Sequence, residues 1–82
     1  MEVRITKKAS KELNKIPNAL ALKISKELLN LGINPFTAKG KKLGGEENYR
    51  IRVGVYRAIY TIDKKKKVIK ILRIKHRKEV YR

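Results

Sequence analysis

The sequence predicts a small α+β domain made of an N-terminal strand, a helical hairpin and then a three-stranded antiparallel meander. Two observations carry that reading. Apolar residues recur at helical spacing in the first half (Leu20, Ile24, Leu28, Leu31) and alternate with polar ones in the second (Tyr49, Ile51, Val53). The last three strand-like runs also follow one another through short turns, leaving no crossover helix, so they must pair antiparallel. With 82 residues and no repeat or linker, residues 1–82 form one domain.

Residues 2–6 alternate, with Val3 and Ile5 apolar around Arg4, as a half-buried strand does. Thr6 then caps a helix running through Ile16, whose apolar positions Ala9, Leu13 and Ile16 share one face. Pro17 interrupts it and suits the first turn of a second helix. Gly32 is read as its stop and Pro35 as a second one. Residues 34–48 (NPFTAKGKKLGGEEN) read as a loop. Three strands follow: residues 49–53, a tight reversal at Gly54, residues 55–62, an exposed turn at Asp63 and Lys64 to Lys67, and residues 68–75. Gly44 and Gly45 are not a phosphate loop, because no Gly-Lys-Ser/Thr follows and no helix starts there.

The formal net charge is +16 and the pI about 10.5. From Asn48 onward, thirteen Lys/Arg face only Asp63 and Glu79, so this part carries +11 of the total. Cations built into strands, rather than trailing as a tail, describe a folded surface suited to a polyanion, with nucleic acid the first partner class. Ion-pair networks need both signs, and seven carboxylates cannot balance 23 cations. The absence of cysteine excludes disulfides and thiolate metal sites. The longest apolar run, residues 19–22, is far shorter than the ~20 residues of a membrane span. With no signal-peptide core either, the expectation is a cytoplasmic protein without a membrane partner.

One histidine and dispersed carboxylates assemble no metal site, and no Ser-His-Asp or Cys-His set is present. No cofactor or small-molecule ligand is implied. What remains is Arg50, Arg52, Arg57, Arg73, Lys75, Arg77 and Tyr81, with His76 beside them. Arginine suits phosphate because its planar fork binds two oxygens at once and stays charged. Such a set could cleave RNA, where attack of a 2′-hydroxyl on the neighbouring phosphate builds negative charge that fixed guanidinium groups stabilise. The same set could merely bind RNA. Composition leaves both open.

The segment YRIRVGVYRAIY, a charged turn and then ILRIKHRKEVY resembles the RelE branch of the RelE/ParE toxin superfamily. KKLGGEENYRIRVG is similar to the stretch before that family's central strand, and KKASKELNKIP to its first helix, so the likeness spans nearly the whole chain. It implies a sheet backed by two helices, related in shape to small microbial ribonucleases. It also implies a toxin that enters the ribosomal A site, cuts messenger RNA and is neutralised by a RelB-like acidic antitoxin wrapped around it. Position by position, Arg50 and Arg52 match the basic pair that contacts the mRNA backbone, and Arg57 matches the arginine taken to stabilise the scissile phosphate. Arg77 matches the basic residue of the C-terminal segment, and Tyr81 the terminal tyrosine that orients or activates the 2′-hydroxyl. Lys75 falls near a basic position used by bacterial members, and Arg73 joins it among the RNA-binding candidates.

Members closer to conventional ribonucleases place a glutamate and a histidine in the site, and no equivalent of that glutamate is evident here. His76 precedes Arg77, so in an alternating strand it faces away from it and reads as a partly exposed surface residue. Two other readings stand beside the ribonuclease: a ParE-like gyrase poison on the same fold, and a non-catalytic basic RNA-binding protein. The latter would be expected to carry aromatic platforms, yet Tyr56 and Tyr60 share a strand face with Ala58 and Ile62 and read as core.

Overall fold

A computed structural model describes residues 1–36, 41–42 and 48–76. The elements are β1 (Glu2–Ile5), α1 (Lys7–Asn14), α2 (Asn18–Ile33), β2 (Lys41–Lys42), β3 (Asn48–Val53), β4 (Tyr56–Asp63) and β5 (Val68–His76). They form the expected strand, helical hairpin and meander, and both helices pack on one face of a five-stranded sheet ordered β1-β5-β4-β3-β2.

Two pairings were not foreseen. β1 lies parallel to β5, Val3 beside Ile69 and Ile5 beside Ile71, because the helical hairpin returns the chain to the start of the sheet. The loop assigned to residues 34–48 contributes the two-residue β2, antiparallel to β3 with Lys41 beside Arg50.

Thr6 ends β1 and starts α1. Its hydroxyl oxygen accepts the Ala9 amide at 3.1 Å, as an N-cap does, and donates to the Leu72 carbonyl at 3.1 Å. Helix α1 stops at Asn14 rather than reaching Ile16, since Ile16 precedes Pro17 and that position disfavours helical backbone. Ile16 is nonetheless buried. In α2 the core stripe is Ala21, Ile24, Leu28 and Leu31, with Leu20 at its exposed margin.

These side chains meet Ile51, Val53, Ala58, Tyr60, Ile69, Ile71 and Ile74, one face of the meander. Tyr49 stacks on Tyr60 at 5.6 Å, and burial followed by the neighbouring Tyr49 raises the Tyr60 hydroxyl pKa. Between β3 and β4 the reversal is a two-residue turn, Gly54-Val55, with Gly54 left-handed at φ 61°, so β4 begins at Tyr56 and not at Val55. The lysine turn is exposed, and Asp63 Oδ1 accepts the Lys66 amide at 3.0 Å.

Gly32 is not the helix stop. It sits inside the last turn of α2, where its carbonyl accepts the N-terminal ammonium of Met1 at 2.6 Å. A Cβ at this position would lie 2.8 Å from the Met1 carbonyl oxygen and 2.9 Å from Val3 Cγ2. The glycine is therefore a close-approach residue that lets α2 lie on β1. Gly32→Ala is expected to lower stability by about 1–2 kcal/mol, the overpacking cost exceeding the gain in helix propensity. Thermal denaturation checks this, and a midpoint at or above the wild-type value would show that β1 is not pinned there.

Candidate nucleic-acid interface

The face of the sheet turned away from the helices is built by strand alternation. In β3, Ile51 and Val53 point to the core, so Arg50 and Arg52 point away from it. In β4, Ala58 and Tyr60 take the core side, leaving Arg57 and Ile59 on the outer one. Cross-strand register then sets the cations in rows. Arg52 lies opposite Arg57, and Arg57 opposite Lys75, across three adjacent strands. With strands ~4.8 Å apart, this row spans roughly 10 Å. In the next row Arg50 stands opposite Ile59, and beyond it Arg4, Lys70 and Thr61 align across β1, β5 and β4.

The row is not uniform. Arg52 is exposed and Lys75 half-buried, while Arg57 at its centre is only 4% exposed and is the one charged residue of the described core. A guanidinium withdrawn from water and flanked by two cations acts on a phosphate in a low dielectric, where each charge counts for more. Like charges directly opposite each other repel, and an anion lying across the row reverses the sign of that contribution. Three fixed donors spaced across the sheet can hold one phosphate and its neighbour, or stabilise charge growing on it.

Arg73 does something else. Its Nε and Nη2 donate to Glu12 Oε1 and Oε2 at 3.0 and 2.9 Å, a two-pronged pair between β5 and α1. Glu12 Oε1 also accepts the Ile74 amide at 2.9 Å. A register irregularity at Ile59/Tyr60, which sets Arg73 opposite Ile59 but Ile71 opposite Tyr60, makes Leu72 the extra residue of β5 beside this pair. The geometry makes Arg73 a fastening of the sheet edge rather than a phosphate ligand. Sequence reasoning missed Glu12, although a carboxylate three residues after Ala9, at the border of the α1 apolar stripe, was the available signal.

His76 is half-buried and lies on the helix side of the sheet, its ring meeting Tyr56 edge-on at 5.3 Å. It is thus across the sheet from Lys75 and Arg57. Among the described residues no group of His, Asp and Glu could hold a metal ion. Arg77 and Tyr81 lie outside the described residues.

Fold and cation row together define a basic toxin-type domain of the RelE/ParE kind. The model of the ParE toxin of type II toxin–antitoxin systems (parDE) matches residues 3–81, and the chain belongs to this family, within the RelE/ParE superfamily. It is similar to the RelBE2 toxin–antitoxin complex of Mycobacterium tuberculosis, at 32% identity and TM-score 0.83 over 93% of this chain and 96% of that one. It is also similar to the archaeal RelE–RelB complex of Pyrococcus horikoshii, at 33% identity and TM-score 0.79 over 93% of each chain. The isolated RelE toxin of Escherichia coli shares the fold, with TM-score 0.81 at 24% identity over 98% of this chain and 89% of that one. No curated relative matches the chain.

Burial alone would raise the Glu12 pKa, but the Arg73 hydrogen bond, the Ile74 amide and the charges of Arg73 and Lys75 outweigh it and hold the carboxyl below its ordinary value. A depressed carboxylate contributes stability that is present above the unfolded pKa of about 4.3 and fades as pH falls through the lower folded value. Glu12→Gln is expected to cost about 1–2 kcal/mol at neutral pH, since it removes charge-assisted bonds from a part-buried pair. Urea unfolding from pH 7 downward checks the sign: the gap between wild type and variant should shrink in acid. A gap that stays constant would mean that the Glu12 charge plays no part.

Proposed function

We propose that this protein is the toxin of a type II toxin–antitoxin pair and acts as a ribosome-dependent endoribonuclease, cutting mRNA in the ribosomal A site. The observation that carries this reading is the Arg52–Arg57–Lys75 row with a buried guanidinium at its centre. In the proposed reaction the 2′-hydroxyl attacks the adjacent phosphorus, and the bond to the 5′-oxygen of the next nucleotide breaks. Arg57 stabilises the extra negative charge on the phosphoryl oxygens, Arg50 and Arg52 hold the flanking backbone, and Lys75 closes the row on β5. Arg77 and Tyr81 enter through the family resemblance, Tyr81 as the group that orients or activates the hydroxyl. Arginine keeps its proton far above neutral pH, so the row supplies electrostatics and the ribosome supplies alignment.

Programmed ribosomes with purified protein, read by primer extension, test the reading. Arg57→Ala should slow cleavage about 10²–10³-fold, the usual loss for one preorganised charge donor. Lys65→Ala, in the exposed turn, should leave the rate within about twofold. Equal losses at equal stability would mean that only bulk charge matters, and intact mRNA with wild-type protein would remove the ribonuclease reading.

A second reading has its own support: the matching family model is that of a ParE toxin, and a gyrase poison would use the same fold. Trapped gyrase–DNA cleavage complexes in cells that leave mRNA intact would establish it in place of the first.

The proposed partner is an acidic, RelB-like antitoxin that wraps the domain, since the M. tuberculosis and P. horikoshii relatives are complexes with antitoxins. Beyond the basic sheet, α2 carries a second apolar stripe, Leu22, Leu29 and Ile33, exposed at 61, 66 and 84%, with Lys23 and Lys26 beside it. An amphipathic helix with acidic flanks fits that surface. Leu29→Asp should weaken the toxin–antitoxin complex at least tenfold in titration calorimetry while leaving toxin activity intact, because one buried leucine is worth about 1.5–3 kcal/mol. Unchanged affinity would place the antitoxin elsewhere.

A further inference from the structure

The outer face of the sheet carries a second group of cations, towards the other end of β4 from the Arg52–Arg57–Lys75 row. Val3, Ile69 and Tyr60 pack on the core side, so alternation turns Arg4, Lys70 and Thr61 outward, in direct register across β1, β5 and β4. Two residues further along β4, Asp63 lies opposite Val68 on the same face. With Lys66 from the turn that follows, these residues line a recess of about 140 Å³.

The turn is bent over that recess. Asp63 Oδ1 accepts the Lys66 amide at 3.0 Å, and Lys67 ends the turn in the left-handed region at φ 55°. Lys66 is thereby drawn back towards β4 and joins Arg4 and Lys70 around the recess. Three cations face the carboxylate of Asp63. Glu2, opposite Val68 on β1, takes one hydrogen bond from Arg4 Nη2 at 3.2 Å, an exposed pair that solvent screens. Positive charge therefore stays in excess. The recess is well below the roughly 300–1,000 Å³ of pockets for drug-sized ligands, so it suits one compact anion and not a base or a cofactor. Lysine, an arginine fork and a threonine hydroxyl are groups that contact phosphate oxygens in nucleic-acid complexes.

Both cation groups lie on one line. Arg57 and Thr61 share the outer face of β4 four residues apart, roughly 13 Å at the rise of a strand. Between them stands half-buried Ile59, with Arg50 opposite it on β3. An extended polynucleotide laid along β4 meets the buried guanidinium of Arg57 at one end, passes Arg50, and reaches the recess at the other.

We propose that the recess is a second phosphate subsite, taking a backbone phosphate of the same RNA strand whose reacting phosphate lies on the Arg52–Arg57–Lys75 row. The inference rests on the RNA reading of that row. It makes Arg4, Lys66, Lys70 and Thr61 a grip on the strand at a distance from the chemistry.

The experiment uses uncleavable 2′-O-methyl RNA, as a hexanucleotide and as a dinucleotide, with affinity read by fluorescence anisotropy over a salt series. Arg4→Ala combined with Lys70→Ala should weaken the hexanucleotide about fivefold at low salt and lower its salt slope by about 0.7, the value for one phosphate contact on a single strand. The dinucleotide has one phosphate, which the Arg57 row holds, so its affinity should stay within about twofold. Lys64→Ala combined with Lys65→Ala removes equal charge from the same turn and should leave the hexanucleotide within about twofold. In NMR spectra the Thr61 and Lys66 amide signals should move with the hexanucleotide and not with the dinucleotide. Equal losses for the two double variants would mean bulk charge, and equal losses for the two oligomers would mean that one strand does not span both sites; either overturns the proposal. So would amides that move with hexaglutamate and not with RNA, which would assign the recess to protein carboxylates. If the hexanucleotide responds to Arg57→Ala but to none of the changes at the recess, the subsite is overturned and the RNA reading stands. If neither oligomer binds, the RNA reading fails and the subsite falls with it.

Discussion

The carboxylate of Glu12 is the constraint on which the functional end of the sheet depends. β5 is nine residues long, but β1 pairs only with Val68 to Ile71, so among the described residues the outer edge of β5 from Leu72 onward has no strand beside it. Unpaired edge groups are both a cost and an invitation to further strand pairing. Helix α1 and its cap close that edge with side chains: Thr6 donates to the Leu72 carbonyl, and Glu12 accepts the Ile74 amide while gripping Arg73. Lys75 and His76 follow directly. The stretch of β5 that completes the cation row is thus held by β4 along one edge and by side chains of α1 and its cap along the other.

That constraint matters because the outer face is electrostatically opposed to its own assembly. Arg52, Arg57 and Lys75 in direct register repel, and the chain as a whole carries +16. What holds them is the opposite face, where Ile51, Ala58 and Ile74 lie in one cross-strand row and pack beneath α1 and α2. Burial of Ile51 and Ile74 with the Ala58 methyl contributes about 4–7 kcal/mol by the usual transfer scale, against a repulsion that Arg52 and Lys75 can relieve toward solvent. The apolar face therefore wins, and the charge remains as potential that an anionic ligand discharges. Any partner that binds this face, whether nucleic acid or an acidic antitoxin, stabilises the folded toxin by mass action as well.

Much of this was legible in the chain. Period-two alternation in YRIRV sets Arg50 and Arg52 on one face, whereas the pairing of Arg52 with Arg57 needs the turn to be Gly54-Val55 and not Gly54 alone, the reversal expected from the sequence. Tyr60 as core was legible for the same reason. Other features were hidden because their causes are non-local. Nothing in residues 2–5 announces that they will pair parallel to β5, nor does a two-lysine strand stand out within a glycine-rich loop. Gly32 carries the ordinary signal of a helix stop, and only the approach of β1 shows that its missing Cβ is the point. Arg73 is chemically indistinguishable from Arg57 in sequence. The carboxylate that fills the Arg73 fork lies sixty-one residues away, beyond any local reading.

The two arginines also show how one residue type divides its work. Arg57 is buried among cations on an outer face, so a phosphate placed there gains strongly from its charge. Arg73 has its fork filled by a carboxylate and offers little to a second anion. His76, the sole histidine, stands on the other side of the sheet against Tyr56. For RNA cleavage as proposed above, the cation row can lower the barrier by stabilising charge. The proton must move through a group outside that row, Tyr81 or the ribosome. An enzyme organised this way depends on its substrate being aligned for it, and its rate on free RNA should be far below its rate on the ribosome.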